Sequence, residues 1–362
     1  LIVVVGMVAT GMIGCDLGLA SCTCCQAGFG KSGARFIVST IFAVNMIGWF
    51  GIQNGVCGEA FSNAMLAMTG WDIPVVVSNT IWGIIMLLTA VYGVHALEKL
   101  DKISIPLLMI IMCYGIFLAF KVYGTGNLND EGTVQSMSFM SGVALSFNFT
   151  AVGTITGPDY TRFQKSRKDT VKSVFYGVFP MGVITLIMGI VLTKLSGQYD
   201  ISMVLIEVGL PLLGIIALVI STWTTNSTNA YSAGLNIVMA LKLKDNRRRE
   251  ATLISGIVGI VLCDLGILGH VEGVLSLLSY VVCPVGGVIL ADYWVVGKGK
   301  AKNFRPQDGV NWAGVIAWAL GAIISYTLVK IEFVGIIIGF VIYLIAERFI
   351  PSASRDNAEN IA

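Results

Sequence analysis

Apolar and polar positions along this chain fall in long blocks. Eleven apolar runs suited to crossing a hydrocarbon core of roughly 30 Å occupy residues 1–15, 36–66, 74–93, 104–123, 137–157, 171–194, 211–241, 252–269, 273–294, 311–329 and 333–349. Each predicts a transmembrane helix. One run breaks the pattern. Residues 221–234 read Ser-Thr-Trp-Thr-Thr-Asn-Ser-Thr-Asn-Ala-Tyr-Ser-Ala-Gly, a crowd of hydroxyl, amide and phenol groups at the centre of the 211–241 helix. Polar groups at the bilayer midplane are costly unless they meet partners or line a wet cavity, so this block marks a pathway. Bonding between neighbouring helices is the competing reading, and it suits one or two such residues better than this density.

Two further runs carry unusual residues. In the 36–66 span, Trp49 and Gln53 are four apart, which puts an aromatic face and an amide on one side of a helix. That pairing suits a flat, hydrogen-bonding ligand. Glu59 lies further along the same helix, where it reads equally as a proton relay or as a paired structural acid. In the 137–157 span, the Gly, Thr, Asn and Pro of residues 141–158 are poor material for a continuous helix and predict an unwound centre, the kind of break that exposes backbone dipoles to ligands.

Composition agrees with the pattern: 56% hydrophobic, 12% charged, mean hydropathy +0.82. This is a polytopic membrane protein. Charge is informative through its placement: 20 of the 23 basic residues fall in alternate connections or in the tail, and Lys121, Lys194 and Lys330 lie on the other side. The positive-inside rule makes the basic side cytoplasmic, with a cytoplasmic C-terminus in a plasma (inner) membrane. The basic turn over residues 162–172 reads as a topology anchor in preference to a gate. No nucleic-acid partner is implied, and the sequence assigns no oligomeric state. Cys22, Cys24 and Cys25 read as small packing residues, with palmitoylation the alternative.

Parity bears on the start of the chain. Eleven spans and a cytoplasmic C-terminus place Leu1 outside, and Leu1-Ile2-Val3-Val4-Val5 begins within a span, without an initiator Met or a basic leader. The expectation is a chain lacking one upstream helix, with twelve spans and both termini cytoplasmic once it is restored.

Gly48-Trp49-Phe50-Gly51, Gly157-Pro158-Asp159-Tyr160-Thr161-Arg162-Phe163, Trp223-Thr224-Thr225-Asn226, Pro284-Val285-Gly286-Gly287-Val288-Ile289-Leu290-Ala291-Asp292-Tyr293 and Val310-Asn311-Trp312 together resemble the nucleobase-cation symporter family, nearest its cytosine permease branch. The resemblance implies an all-α transporter of the leucine-transporter type, a 5+5 inverted repeat plus two C-terminal helices. Residues 1–123 would be helices 2–5, 137–294 helices 6–10, 311–349 helices 11–12 and 350–362 a cytoplasmic tail. Helix 1 would be missing, leaving eleven of twelve.

Site residues follow by the same resemblance. Trp49 would stack on a base and Gln53 would contact it. The cytosine branch has a glutamine three residues before that tryptophan, where this chain has Met46 beside Asn45. The family's second aromatic, at the helix break, falls on Thr150 in this chain, and Phe149, one residue earlier, would take its place. Asn226 and Asn229 would offer the base a donor and an acceptor together. Thr224, Thr225 and the Ser221 carbonyl would bind sodium, a hard cation that favours neutral oxygens. The implied function is import of a nucleobase, cytosine first, by cation-coupled symport with alternating access and no cofactor. A purine, uracil or hydantoin-like base, or a truncated chain that does not transport, is the alternative.

Proton coupling in place of sodium would rest on Glu59 or Asp264. A channel would need rings of carbonyls or charges, and no such repeat is present. A membrane enzyme would need an acid-base set or a metal, yet the two histidines, His95 and His270, stand far apart without metal-spaced companions.

Overall fold

The computed structural model describes residues 1–92, 94–125, 138–197 and 201–350, and its described elements are helical. Met137, Arg355 and the tail beyond Ile350 lie outside the described residues, as does the side chain of His95.

The helices follow the apolar runs because a backbone in lipid must satisfy its own polar groups. α1 (Ile2–Leu17) ends at Gly18, whose left-handed backbone donates back to the Gly14 carbonyl. Two short helices that apolar patterning did not predict come next, α2 (Ser21–Cys24) and α3 (Gln26–Gly33). At Gly30 the backbone turns to φ 76°, and an added Cβ there would lie 2.5 Å from the Gly309 carbonyl. Only glycine fits this approach. The loop of residues 307–311 bonds the kinked segment: Lys31 N–H donates to Gln307, Ser32 N–H donates to Gly309, and Phe29 accepts from Asn311 N–H, each at 2.8 Å. Cys22, Cys24 and Cys25 are buried here, which favours packing over lipidation.

A π-helical turn (Ala34–Val38) leads into the long α4 (Ser39–Thr69), followed by α5 (Val75–Tyr92) and α6 (Val94–Tyr123). The 137–157 run folds as two pieces, α7 (Phe139–Asn148) and α8 (Gly153–Thr161), as its composition predicts. Then come α9 (Arg167–Ser196), the short α10 (Ile201–Glu207) and α11 (Pro211–Ala240), which opens on a proline at its first turn. α12 (Arg248–Asp264), α13 (Val271–Leu290), α14 (Trp312–Ile324) and α15 (Val334–Phe349) complete the order. Every one of the eleven predicted spans coincides with one of these helices or, for 137–157, with a pair.

Seven helical stretches of the described residues are long and apolar enough to cross a membrane by length and composition. α11, with 30 residues, is long enough but stands outside that set because of its polar centre. In α9 only 6% of the apolar stretch is buried, so most of its apolar side chains are left on the surface. α11 lies along α4, with α5 and α12 beside them, around Phe50, Met86, Leu87 and Ile260. α1 crosses α8 so closely that a Cβ on Gly14 would lie 2.4 Å from the Cα of Pro158.

Candidate functional site

The break between α7 and α8 is short. Thr150 N–H donates to the Phe147 carbonyl and Gly153 N–H to that of Thr150, three-residue turns in place of the α-helical ladder. Phe149 stands at its first position, 52% exposed, so its ring is not locked in a core. Trp49 reaches it from α4. The ring centroids are 6.0 Å apart and tilted by 52°, so the two helices that the sequence marks as unusual meet through their aromatic residues. Stacked carbon layers sit about 3.5–4.0 Å apart, so a planar ligand between the rings needs roughly 7 Å. The pair is in mutual contact, and Phe149 is its exposed member. Gln53 is half-buried one turn beyond Trp49, and Asn45 is buried one turn before it, with an Oδ1 that lacks a hydrogen-bond partner.

The polar block of α11 divides by face. Trp223, Asn226 and Ser227 turn toward α4 and α5: Trp223 Nε1 donates to Thr89 Oγ1 at 2.9 Å, Asn226 Nδ2 to the Phe50 carbonyl at 3.1 Å, and Ser227 Oγ to the Met86 carbonyl at 3.0 Å. Asn226 is fully buried, and only its Oδ1 is left without a partner. The structure thus puts Asn226 in a seam between α11 and α4, bonded to the residue that follows Trp49. Asn229 is half-buried. At 100° per residue it falls between this face and the next.

On the other face, the hydroxyls of Thr224 and Thr225 donate to the Ser221 carbonyl at 3.0 and 3.1 Å. Ser221 and Thr224 are half-buried, and Thr225 and Thr228 are exposed. Three neutral oxygens therefore cluster on one turn. That donor set fits a hard monovalent cation in part, since three oxygens fall short of a full shell.

Other polar ties lay beyond the reach of sequence patterning. Arg167, inside the basic turn, donates through Nε and Nη2 to both carboxylate oxygens of Asp16, at 2.6–3.0 Å, and through Nη2 to the Gly299 carbonyl. Its guanidinium lies 4.9 Å from the Trp294 ring centre, and Tyr293 also donates to Asp16. Arg167 is thus a tie between α1, α9 and the π-helical end of α13 (Ala291–Val296) in addition to any role in topology. Glu59 and Asp264 are both exposed, and Asp264 accepts from Asn79 Nδ2 at 3.2 Å.

Comparison with known proteins agrees with this architecture. Residues 1–347 match a family described as a permease for cytosine/purines, uracil, thiamine and allantoin. Cytosine permease of Escherichia coli K12 is 31% identical over 335 residues, covering 91% of this chain and 76% of that protein. Allantoin permease of Bacillus subtilis 168 is 25% identical over 396 residues, covering 95% and 80%. In fold, the chain is similar to Mhp1, a nucleobase-cation-symport-1 family transporter solved in a closed conformation with bromovinylhydantoin bound. The TM-score is 0.77 at 18% identity, over 96% of this chain and 83% of that one. An all-helical fold of the leucine-transporter type, a sequence match over nearly the whole chain and a broken helix facing Trp49 agree: this chain belongs to the nucleobase-cation-symport-1 family of permeases.

Proposed function

We propose that this permease imports a nucleobase, cytosine first among them, by sodium-coupled symport with alternating access. The observation that carries the reading is the meeting of Trp49 and Phe149 across the helix break. A planar base inserted there replaces one aromatic contact by two, each contributing about 0.5–1.5 kcal/mol beyond area burial. Stacking tolerates any flat ring, so selectivity falls to the amides on the same face, Gln53 and Asn45. Asn45 has a buried oxygen without a donor, which an exocyclic amine satisfies. A site that matches each polar edge rejects analogues lacking one, because its own buried groups then go unpaired. Asn226 and Asn229 are the amides that α11 offers to a base, Asn226 through the Oδ1 that has no partner.

Sodium would bind at the Ser221 carbonyl and the Thr224 and Thr225 hydroxyls, with the remaining ligands from water or other parts of the transporter. One monovalent cation moving down 100 mV supplies about 2.3 kcal/mol, roughly 50-fold accumulation before any ion gradient. The basic turns would face the cytoplasm.

Uptake of labelled cytosine into permease-deficient cells, with adenine, uracil, hypoxanthine, allantoin and hydantoin as competitors, tests the substrate. Saturable uptake displaced chiefly by unlabelled cytosine is the expected result. Displacement by a different base changes the substrate and keeps the site. Absence of uptake of every base by protein shown to reach the membrane overturns the proposal.

A further inference from the structure

A cavity of about 240 Å³ opens between α7, the start of α13 and residues 330–332 ahead of α15. It lies at the end of α13 away from the basic turn of residues 298–305. Glu332 lines it while only 6% exposed. Its Oε1 accepts from Asn148 Nδ2 at 3.0 Å and from Ser276 Oγ. Its other oxygen, Oε2, is buried and has no hydrogen-bond partner; the same holds for Oδ1 of Asn148, also 6% exposed and also lining the cavity.

Two acceptor oxygens on bonded neighbours, both out of solvent, cannot satisfy one another while the carboxylate is ionised. A buried carboxylate with half its acceptors empty is costly unless a positive group completes it. Ser141, Glu272 and Lys330 also line the cavity. Lys330 does so from an exposed turn, with no ion pair to Glu332 among the described residues. Exposed Glu272, in the first turn of α13, adds a second negative charge near the cavity.

We infer that a monovalent cation, sodium or one of similar size, binds in the buried wall of this cavity, at Glu332 Oε2 and Asn148 Oδ1 with the Ser276 hydroxyl beside them. An anionic and two neutral oxygens are the donor set that a hard cation selects. The site is separate from the Ser221, Thr224 and Thr225 cluster on α11 and does not depend on which base is carried. Asn148 is the last residue of α7 and Phe149 follows it, so an ion here fixes the end of the helix that leads into that ring.

The test measures the thermal midpoint of the full chain in lipid nanodiscs against rising sodium chloride, with choline chloride holding ionic strength constant and the α11 cluster disabled by Thr224→Ala and Thr225→Ala. Sodium-dependent stabilisation should persist in that background. Adding Glu332→Gln should weaken the apparent sodium affinity by about tenfold or more, the loss expected when a cation loses its one charged ligand. If Glu332→Gln does not fold, Asn148→Leu is read in its place, with the same expectation. A background that no longer responds to sodium, or a Glu332→Gln or Asn148→Leu protein that keeps the full response, overturns the inference. Stabilisation that follows pH and ignores sodium also overturns it, in favour of a protonated buried acid. No outcome depends on transport, so failure here is distinguishable from failure of the substrate assignment.

Discussion

The two faces of α11 are made of the same residue types and do different work. Trp223, Asn226 and Ser227 spend their donors on α5 and on the carbonyl of Phe50 in α4. Ser221, Thr224, Thr225 and Thr228 keep their hydroxyl bonds within the helix. One face bonds to neighbouring helices, and the other bonds to its own backbone, the face proposed to take the coupling ion. Polarity at the midplane is therefore two signals superposed, and hydrogen-bond partners separate them.

The largest effect should come from breaking the buried face. Asn226→Leu removes the donor contacts to the Phe50 carbonyl and the Met86 sulfur and forces a branched side chain into a packed seam, a loss of about 2–4 kcal/mol read as a lowered thermal midpoint in nanodiscs. Thr225→Ala, one residue away on the open face, should stay within about 0.5 kcal/mol of the parent without sodium and lose part of the stabilisation that sodium confers. Equal destabilisation by both would erase the distinction between the faces.

At the aromatic pair, Trp49→Leu should raise the KM for base uptake by about tenfold, some 1.4 kcal/mol, through lost stacking and contact area, with little change in thermal midpoint. Ser227→Ala sharpens the comparison at a smaller scale: one lost bond to the Met86 carbonyl corresponds to about 1 kcal/mol of stability, with sodium response intact.

The smallest effect belongs to the surface. Lys31 bonds Asp308 at 2.8 Å in the loop that braces α3, and this contact holds the Asp308 carboxyl below its usual range. A depressed folded-state value contributes stability above the unfolded carboxylate value of about 3.9, lost as pH falls through the lower folded one. The pair is open to solvent and salt, so Asp308→Asn should leave the thermal midpoint unchanged from pH 5 to 8 at 0.15 M salt.

The helical architecture was legible because lipid imposes a simple rule on composition: residues 74–93 and 333–349 read as spans and fold as α5 and α15. The break at Phe149 was legible too, since residues 141–158 carry too much Gly, Thr and Pro for a straight helix. α2, α3 and α10 went unread, being shorter than any span. The seam position of Asn226 was hidden because sequence gives the azimuth of a residue on its helix but not which neighbour that azimuth meets. Glu332 offered no pattern at all. It sits in a short connection, Lys330-Ile331-Glu332-Phe333, and only folding brings it to Asn148 and Ser276. Arg167 and Asp16 likewise lie 151 residues apart and are joined only by the crossing of α1 near α9.

The most direct measurement is initial-rate uptake of labelled cytosine against external sodium, for the parent chain and for Thr225→Ala expressed to the same level. The account predicts uptake that saturates with sodium in the parent, and a sodium requirement shifted upward by about tenfold or lost in the variant. Equal uptake with sodium replaced by choline, or a variant indistinguishable from the parent at every sodium concentration, would contradict the assignment of the open face of α11 to the coupling ion.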